Sequence, residues 1–183
     1  MRRAFDYGLA VRFLEDKNKG VYGVLISASY FDRHVCLLAV LRAFGASEIF
    51  SAPLDYKFFL QRLRYCKSFY GVSVFSFCLM PSSIYLSLGG PDCRAISLFL
   101  TEVNESFCDF VRVRDQGRKE LQILRSRLLV LEDERALFDI SAFVDALPVS
   151  RGMVERAEEY EWSSFRLKAF GIENGVLEKM DMY

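Results

Sequence analysis

YGVSVFSFCLMPSSIYLSL, residues 70–88, decides between helix and sheet for the centre of this chain. Its first run, Val72 to Leu79, is dense in β-branched and aromatic residues and too short for a stable helix. Gly71 opens it, and Pro81, which has no N–H to give to a ladder, closes it. Beyond Pro81, Ile84, Leu86 and Leu88 alternate with Ser83, Tyr85 and Ser87. Side chains alternate across a strand, so the second run predicts one apolar and one polar face. The spacing predicts strands over 72–79 and 84–88. Ser83, Tyr85 and Ser87 read most simply as the wet side of the second strand.

Working outward, Gly89, Gly90 and Pro91 turn the chain, and Asp92 is placed to cap a helix over 93–110. On the other side, Ser51 stands as a cap and Pro53 in the first turn of a helix over 52–69. Tyr56, Phe59, Leu60, Leu63 and Cys66 follow the helical repeat and predict its core stripe. Lys57, Arg62, Arg64 and Lys67 fall mostly off the stripe and read as a solvated face. From Arg33 to Phe44 the chain is apolar almost all round and ends at Gly45, the pattern of a buried helix with a glycine cap. Two apolar runs, 7–14 and 21–29, flank the turn-prone residues 15–20 and predict a strand pair. Further on, a strand is expected over 121–131 and a helix over 135–147.

Bulk composition narrows the function classes. A chain of 183 residues with 52% hydrophobic residues and 17 Phe can bury a sizeable core, and one domain over 1–183 is expected. Formal net charge is zero, so no global field draws the protein to nucleic acid or to an acidic membrane. The charge is nevertheless unevenly laid out. Between residues 112 and 127, six cations (Arg112, Arg114, Arg118, Lys119, Arg125, Arg127) oppose Asp115 and Glu120. From 132 to 161, nine acids oppose Arg135, Arg151 and Arg156. Any nucleic-acid contact must therefore be local.

Five cysteines, odd in number and without a Cys-x-x-Cys pair, favour reduced buried thiols in a cytoplasmic protein over a disulfide frame or a zinc site. No apolar run is long enough to span a membrane, and no signal peptide is evident. His34 is the single histidine, which excludes any site built on two imidazoles, and it reads as a packed or surface residue. No Gly-x-Ser-x-Gly elbow surrounds Ser83, and no glycine-rich phosphate loop is present. No cofactor and no metal are expected.

Four stretches together resemble the single-tyrosine (HUH-type) transposases, in particular the REP-associated branch. Residues 70–88 are similar to the family's central strands, where a strand ending Leu-Met-Pro is followed by Asn-His-hydrophobe-His. Residues 143–154, from Phe143 to Val154, resemble its Tyr-Ile-x-x-Asn-Pro-Val-x-x-Gly-x-Val signature. Residues 160–166, Tyr160 to Arg166, closely resemble its Tyr-x-Trp-Ser-Ser-hydrophobe-Arg segment, and 124–127 its Gly-Arg-Phe-Lys strand. The likeness covers about 48–168. Val21 to Val24 resembles the family's opening Tyr-His-Val strand, with Gly23 where its histidine would sit.

The resemblance implies an α+β, ferredoxin-like fold, with a central antiparallel sheet and helices packed mainly on one face. It also implies a site in which two histidines on one strand face hold a divalent metal while a tyrosine attacks the phosphate. Here the histidine positions are Ser83 and Tyr85, the nucleophile position is Phe143, and the polar metal-site position one turn later is Leu147. Phenylalanine has no oxygen to form a phosphotyrosine, and leucine has no lone pair to offer. The chain therefore reads as a catalytically inactive relative, not an enzyme, with no catalytic residue. It is expected to bind structured single-stranded DNA, a hairpin, through Arg125 and Arg127, with Arg112, Arg114, Arg118 and Lys119 and an arm of Arg2 and Arg3. Alternatives are a protein-interaction or homodimerisation module, the remnant of a mobile element, or an active enzyme in which Tyr85 attacks with substituted ligands.

Overall fold

The structure is a computed structural model, described over residues 35–43, 48–115 and 127–178. Four strands and two long helices follow one another as strand, helix, strand, strand, helix, strand: β1 (Val35–Arg42), α1 (Pro53–Tyr70), β2 (Ser73–Met80), β3 (Ser83–Gly90), α2 (Cys93–Arg114) and β4 (Arg127–Leu131). The sheet order is β2-β3-β1-β4, antiparallel at every pairing. Alternation of this kind, with the first and third strands side by side at the centre, is the ferredoxin-like arrangement. After β4 come α3 (Glu134–Ser150), one 3-10 turn (Ala157–Glu159) and the short α4 (Phe165–Ala169).

The two predicted central strands form as a hairpin turned at Pro81. The helix expected over 33–44 is instead the central strand β1. A strand buried on both faces is apolar all round, as a buried helix is, so periodicity does not separate the two. β1 lies between β3 and β4, with Leu37, Ala39 and Leu41 toward one core and Leu38 and Val40 toward the other. Gly45 and the strand pair expected over 7–29 lie outside the described residues, as does 121–126 of the last predicted strand.

Helices α1 and α2 share the larger core. Tyr56, Phe59, Leu63 and Cys66 are buried along α1 and Ile96, Phe99, Leu100, Val103, Phe107 and Val111 along α2. Phe58 stacks on Phe110 at 4.1 Å between centroids, and Phe59 meets Phe107 edge-on at 5.5 Å. Gly90, at the end of β3, lies so close to α2 that a Cβ there would stand 2.7 Å from Cγ1 of Ile96, which fixes a residue without a side chain. Asp92 caps α2 as predicted, accepting from the Ala95 N–H at 2.7 Å. At α1 the cap is Ala52, one residue later than expected. The work is done by Asp55, fully buried, whose carboxylate accepts from the N–H groups of Ser51 (2.8 Å) and Ala52 (2.9 Å) and pairs with Arg114.

α3 covers the opposite face of the sheet. Val144 and Leu147 pack there against Leu38, Cys78, Met80, Tyr85 and Tyr160. The chain then returns along the outer edge of β2. Leu79 N–H donates to Trp162 O (2.9 Å), Ser164 N–H to Phe77 O (2.8 Å) and Glu178 N–H to Val74 O (2.8 Å). An edge that would otherwise present unpaired backbone is thereby covered. The segment after Phe170, unassignable from sequence, belongs to this cover, with Val176 buried.

Candidate nucleic-acid interface

Sheet register fixes which side chains share the α3 face, because directly opposed residues point the same way. Cys78, Tyr85, Val40 and Arg127 form one row across all four strands, and Met80, Ser83 and Arg42 form the next. Ser76, Ser87, Leu38 and Leu129 form the row on the other side. The alternation that predicted a polar face on β3 is correct, but its exposure is not as predicted. Ser83 is 9%, Tyr85 4% and Ser87 0% exposed, because α3 lies over them. Ser87 Oγ accepts from Ser141 Oγ of α3 at 3.4 Å. The face is polar because it meets a helix, not water.

Tyr85 is held by its ring in the Leu38, Met80, Val144, Leu147 cluster. Its hydroxyl emerges between two guanidinium groups: Arg42 Nη2 and Arg151 Nη2 each donate to it at 3.4 Å. Arg42 ends β1 and Arg151 caps the C-terminus of α3, and both side chains are exposed. No ion pair joins Arg42, Arg127 or Arg151 to a carboxylate among the described residues. The two donor nitrogens lie within about 7 Å of each other. At the far end of that range their repulsion is about 0.6 kcal/mol in bulk water, and it grows as they approach.

The four positions implied by the resemblance divide unevenly. Tyr85 and Leu147 meet in one cluster, and Ser83 is buried beside Arg42 in the register. Phe143 stands outside that cluster, 45% exposed. Among the cations expected to bind, Arg127 opens β4, exposed and in the Tyr85 row. Arg114 is occupied otherwise, paired with the buried Asp55 and donating to both oxygens of Asp115 at 2.9 Å. Its place is in the packing of α2 against α1, and it is not available to a phosphate without losing Asp55. Arg112 is exposed and paired to Asp109 at 2.8 Å. Arg2, Arg3, Arg118, Lys119 and Arg125 lie outside the described residues, as does His34.

Arg42 and Arg151 escaped the sequence reading. Reading 33–44 as helix hid the alternation of Leu38, Val40 and Arg42 on one strand face. Arg151 stood in a stretch dominated by acids.

Three of the four stretches behind the family resemblance, 70–88, 143–154 and 160–166, are in mutual contact. Ser164 Oγ accepts from Phe77 N–H at 2.9 Å and donates to Asp145 of α3, which also takes Lys168 Nζ at 2.7 Å. Tyr160 donates its hydroxyl to Leu79 O at 2.7 Å. Burial raises the Tyr160 pKa and pushes the Cys78 thiol up to about 12, with the Asp145 charge adding to the latter. These groups stay neutral and structural at physiological pH. Among the described residues no cluster of three or more His, Cys, Asp or Glu could hold a metal ion, and no helix is long and apolar enough to cross a membrane.

No protein-family profile matches the sequence, and no curated protein matches it. Among solved structures, the chain is similar to a REP-associated tyrosine transposase bound to a REP hairpin. The TM-score is 0.64 and the identity 14%, over 87% of this chain and 95% of that one. At that identity the likeness is one of fold: the two chains share an α+β sheet-and-helix architecture.

Proposed function

We propose that this protein is a catalytically inactive, transposase-like DNA-binding protein that recognises structured single-stranded DNA, a hairpin, through a local cluster of arginines. The observation that carries the reading is the fold it shares with a protein solved on a DNA hairpin. The arginines at one end of the α3-covered face supply a local positive charge that the zero net charge of the chain conceals. Inactivity is argued from side-chain chemistry. Ser83, Phe143 and Leu147 offer neither the ligands nor the nucleophile that metal-assisted tyrosine attack requires. The ring of Tyr85 is packed in the cluster of Leu38, Met80, Val144 and Leu147, and its hydroxyl is held by Arg42 and Arg151.

Fluorescence anisotropy with a labelled DNA hairpin at low and high salt tests the binding. Binding that falls steeply with salt is expected, and no binding at low salt refutes it. A nicking assay on the same hairpin with magnesium or manganese tests inactivity. Strand cleavage that disappears in Tyr85→Phe would establish an enzyme instead.

A second reading, a protein-interaction or dimerisation module, draws on exposed apolar residues of α3 and its exit: Phe143 (45%), Val149 (39%) and Met153 (39%). Sedimentation of the purified chain separates the two. A stable homodimer broken by Phe143→Asp, with no hairpin affinity, favours the second.

A further inference from the structure

We infer that Arg42 and Arg151, gathered on the Tyr85 hydroxyl, form a phosphate-binding clamp, and that its ligand is a phosphodiester of the bound DNA. The inference rests on the DNA-binding reading for the source of the phosphate, and on this chain's own geometry for the clamp.

Two guanidinium groups from elements far apart in sequence converge on one oxygen. That oxygen is fixed, because the ring that carries it is packed in one buried cluster with Leu38 and Met80 of the sheet and Val144 and Leu147 of α3. Each guanidinium has five N–H donors in a rigid fork, and the phenol takes one from each, at the long limit of a hydrogen bond. Neither arginine has a carboxylate partner among the described residues, whereas Arg62, Arg112, Arg114 and Arg156 all have one. Two forks with donors to spare around a fixed hydroxyl fit a tetrahedral oxyanion, which offers several acceptor oxygens and the missing negative charge. Arg127, in the same row as Tyr85 and two strands away, lies about 10 Å across the sheet. A third cation at that distance suits a chain of phosphates rather than a single small anion.

The test compares wild type with Arg42→Ala/Arg151→Ala, with Arg94→Ala of α2 on the other face of the sheet as the control. Circular dichroism checks the fold, and Arg42→Lys/Arg151→Lys stands in if the alanine pair fails to fold. Labelled hairpin is titrated at several salt concentrations, and thermal stability is followed with added inorganic phosphate or thymidine 5′-monophosphate. The expected result is at least tenfold weaker hairpin binding in the double variant, with Arg94→Ala unchanged. The salt slope should also fall by about 0.7, the loss of one single-strand phosphate contact.

The lysine pair should recover only part of the affinity, because an ammonium cannot fork. Stabilisation by free phosphate that needs both arginines, without hairpin binding, would keep the clamp and remove the DNA reading. Hairpin binding untouched in the double variant, with no arginine-dependent effect of phosphate, would remove the clamp and leave the DNA reading. Neither ligand binding wild type would remove both.

Discussion

Ser164→Ala is the perturbation that most directly tests whether the motif-bearing stretches form one structural lock. Ser164 is fully buried, and its hydroxyl does two things at once. It accepts the Phe77 N–H at 2.9 Å on β2 and donates to the Asp145 carboxylate on α3. Removing it leaves a buried N–H without an acceptor, at about 1–3 kcal/mol, and deletes a hydrogen bond to a charged group, at about 1.5–3 kcal/mol. Lys168 still satisfies Asp145 at 2.7 Å and limits the second loss. The expected cost is about 3–4 kcal/mol, a large share of the roughly 5–15 kcal/mol that holds a typical domain together. For a chain of this size that corresponds to a fall of about 10 °C in Tm. Urea denaturation measures it, with the slope checked for constancy. Ser163→Ala is the matched control: it too is buried, but its hydroxyl makes one neutral bond, to Tyr160 O at 3.3 Å, and should cost about 1 kcal/mol. A double-mutant cycle with Asp145→Ala should show coupling of about 1–3 kcal/mol. Loss of less than about 1 kcal/mol in Ser164→Ala, or strict additivity with Asp145→Ala, would refute the lock.

Asp55→Ala should destabilise by about 3–5 kcal/mol in the same assay, since it removes the cap of α1 and the partner of Arg114 together, and Asp55→Asn should recover part. Stability should also fall on the alkaline side. The folded protein raises the Cys78 pKa from its ordinary value near 9 to about 12, so the unfolded state loses its proton first. The contribution of Cys78 is complete below about pH 9 and drains away at about 1.4 kcal/mol per pH unit as pH rises toward 12. Chemical denaturation between pH 8 and 11 reads this slope, and Cys78→Ala should lessen it by one group's worth; an unchanged slope would contradict the burial argument. Finally, Phe143→Tyr returns an exposed phenol but no metal ligand at Ser83 or Leu147, so it should not restore hairpin nicking with magnesium or manganese. Nicking by that variant would mean that a ligand set survives.

What was legible in the sequence was whatever a single repeat determines. The stripe of α1, Pro53 in its first turn, the Asp92 cap of α2 and the hairpin broken at Pro81 each follow from local spacing, and each is found. What was not legible depended on how many neighbours a segment has. β1 is apolar all round because it is central in the sheet and covered on both faces, and nothing within its eight residues announces that. The exposure of β3 failed for the same reason. Alternation correctly separated Ser83, Tyr85 and Ser87 from Ile84, Leu86 and Leu88, but whether water or a helix meets the polar row is decided by α3, some sixty residues later. Arg114 shows the limit for charges. In sequence it is one cation of a basic run; in space it is the counter-charge of a buried carboxylate contributed by another helix.

The same physics bears on the site itself. A helix that settles onto a sheet must find apolar area at its contact, and a polar group in that contact must bring its own hydrogen bonds. Leu147 supplies the apolar area against Tyr85, and Ser87 is matched by Ser141. Tyr85 meets both demands, since its ring is packed and its hydroxyl reaches the boundary, where Arg42 and Arg151 receive it. A metal site here would require open coordination positions between β3 and α3, whereas Leu147 and Tyr85 belong to one buried cluster there. On the proposed reading, what this end of the sheet offers a phosphate is the arginine-lined rim beside α3, where Arg42 and Arg151 meet the Tyr85 hydroxyl. Guanidinium groups bind a phosphodiester without breaking it; the oxygen they hold there is the Tyr85 hydroxyl, and the nicking assay with Tyr85→Phe decides whether that oxygen attacks.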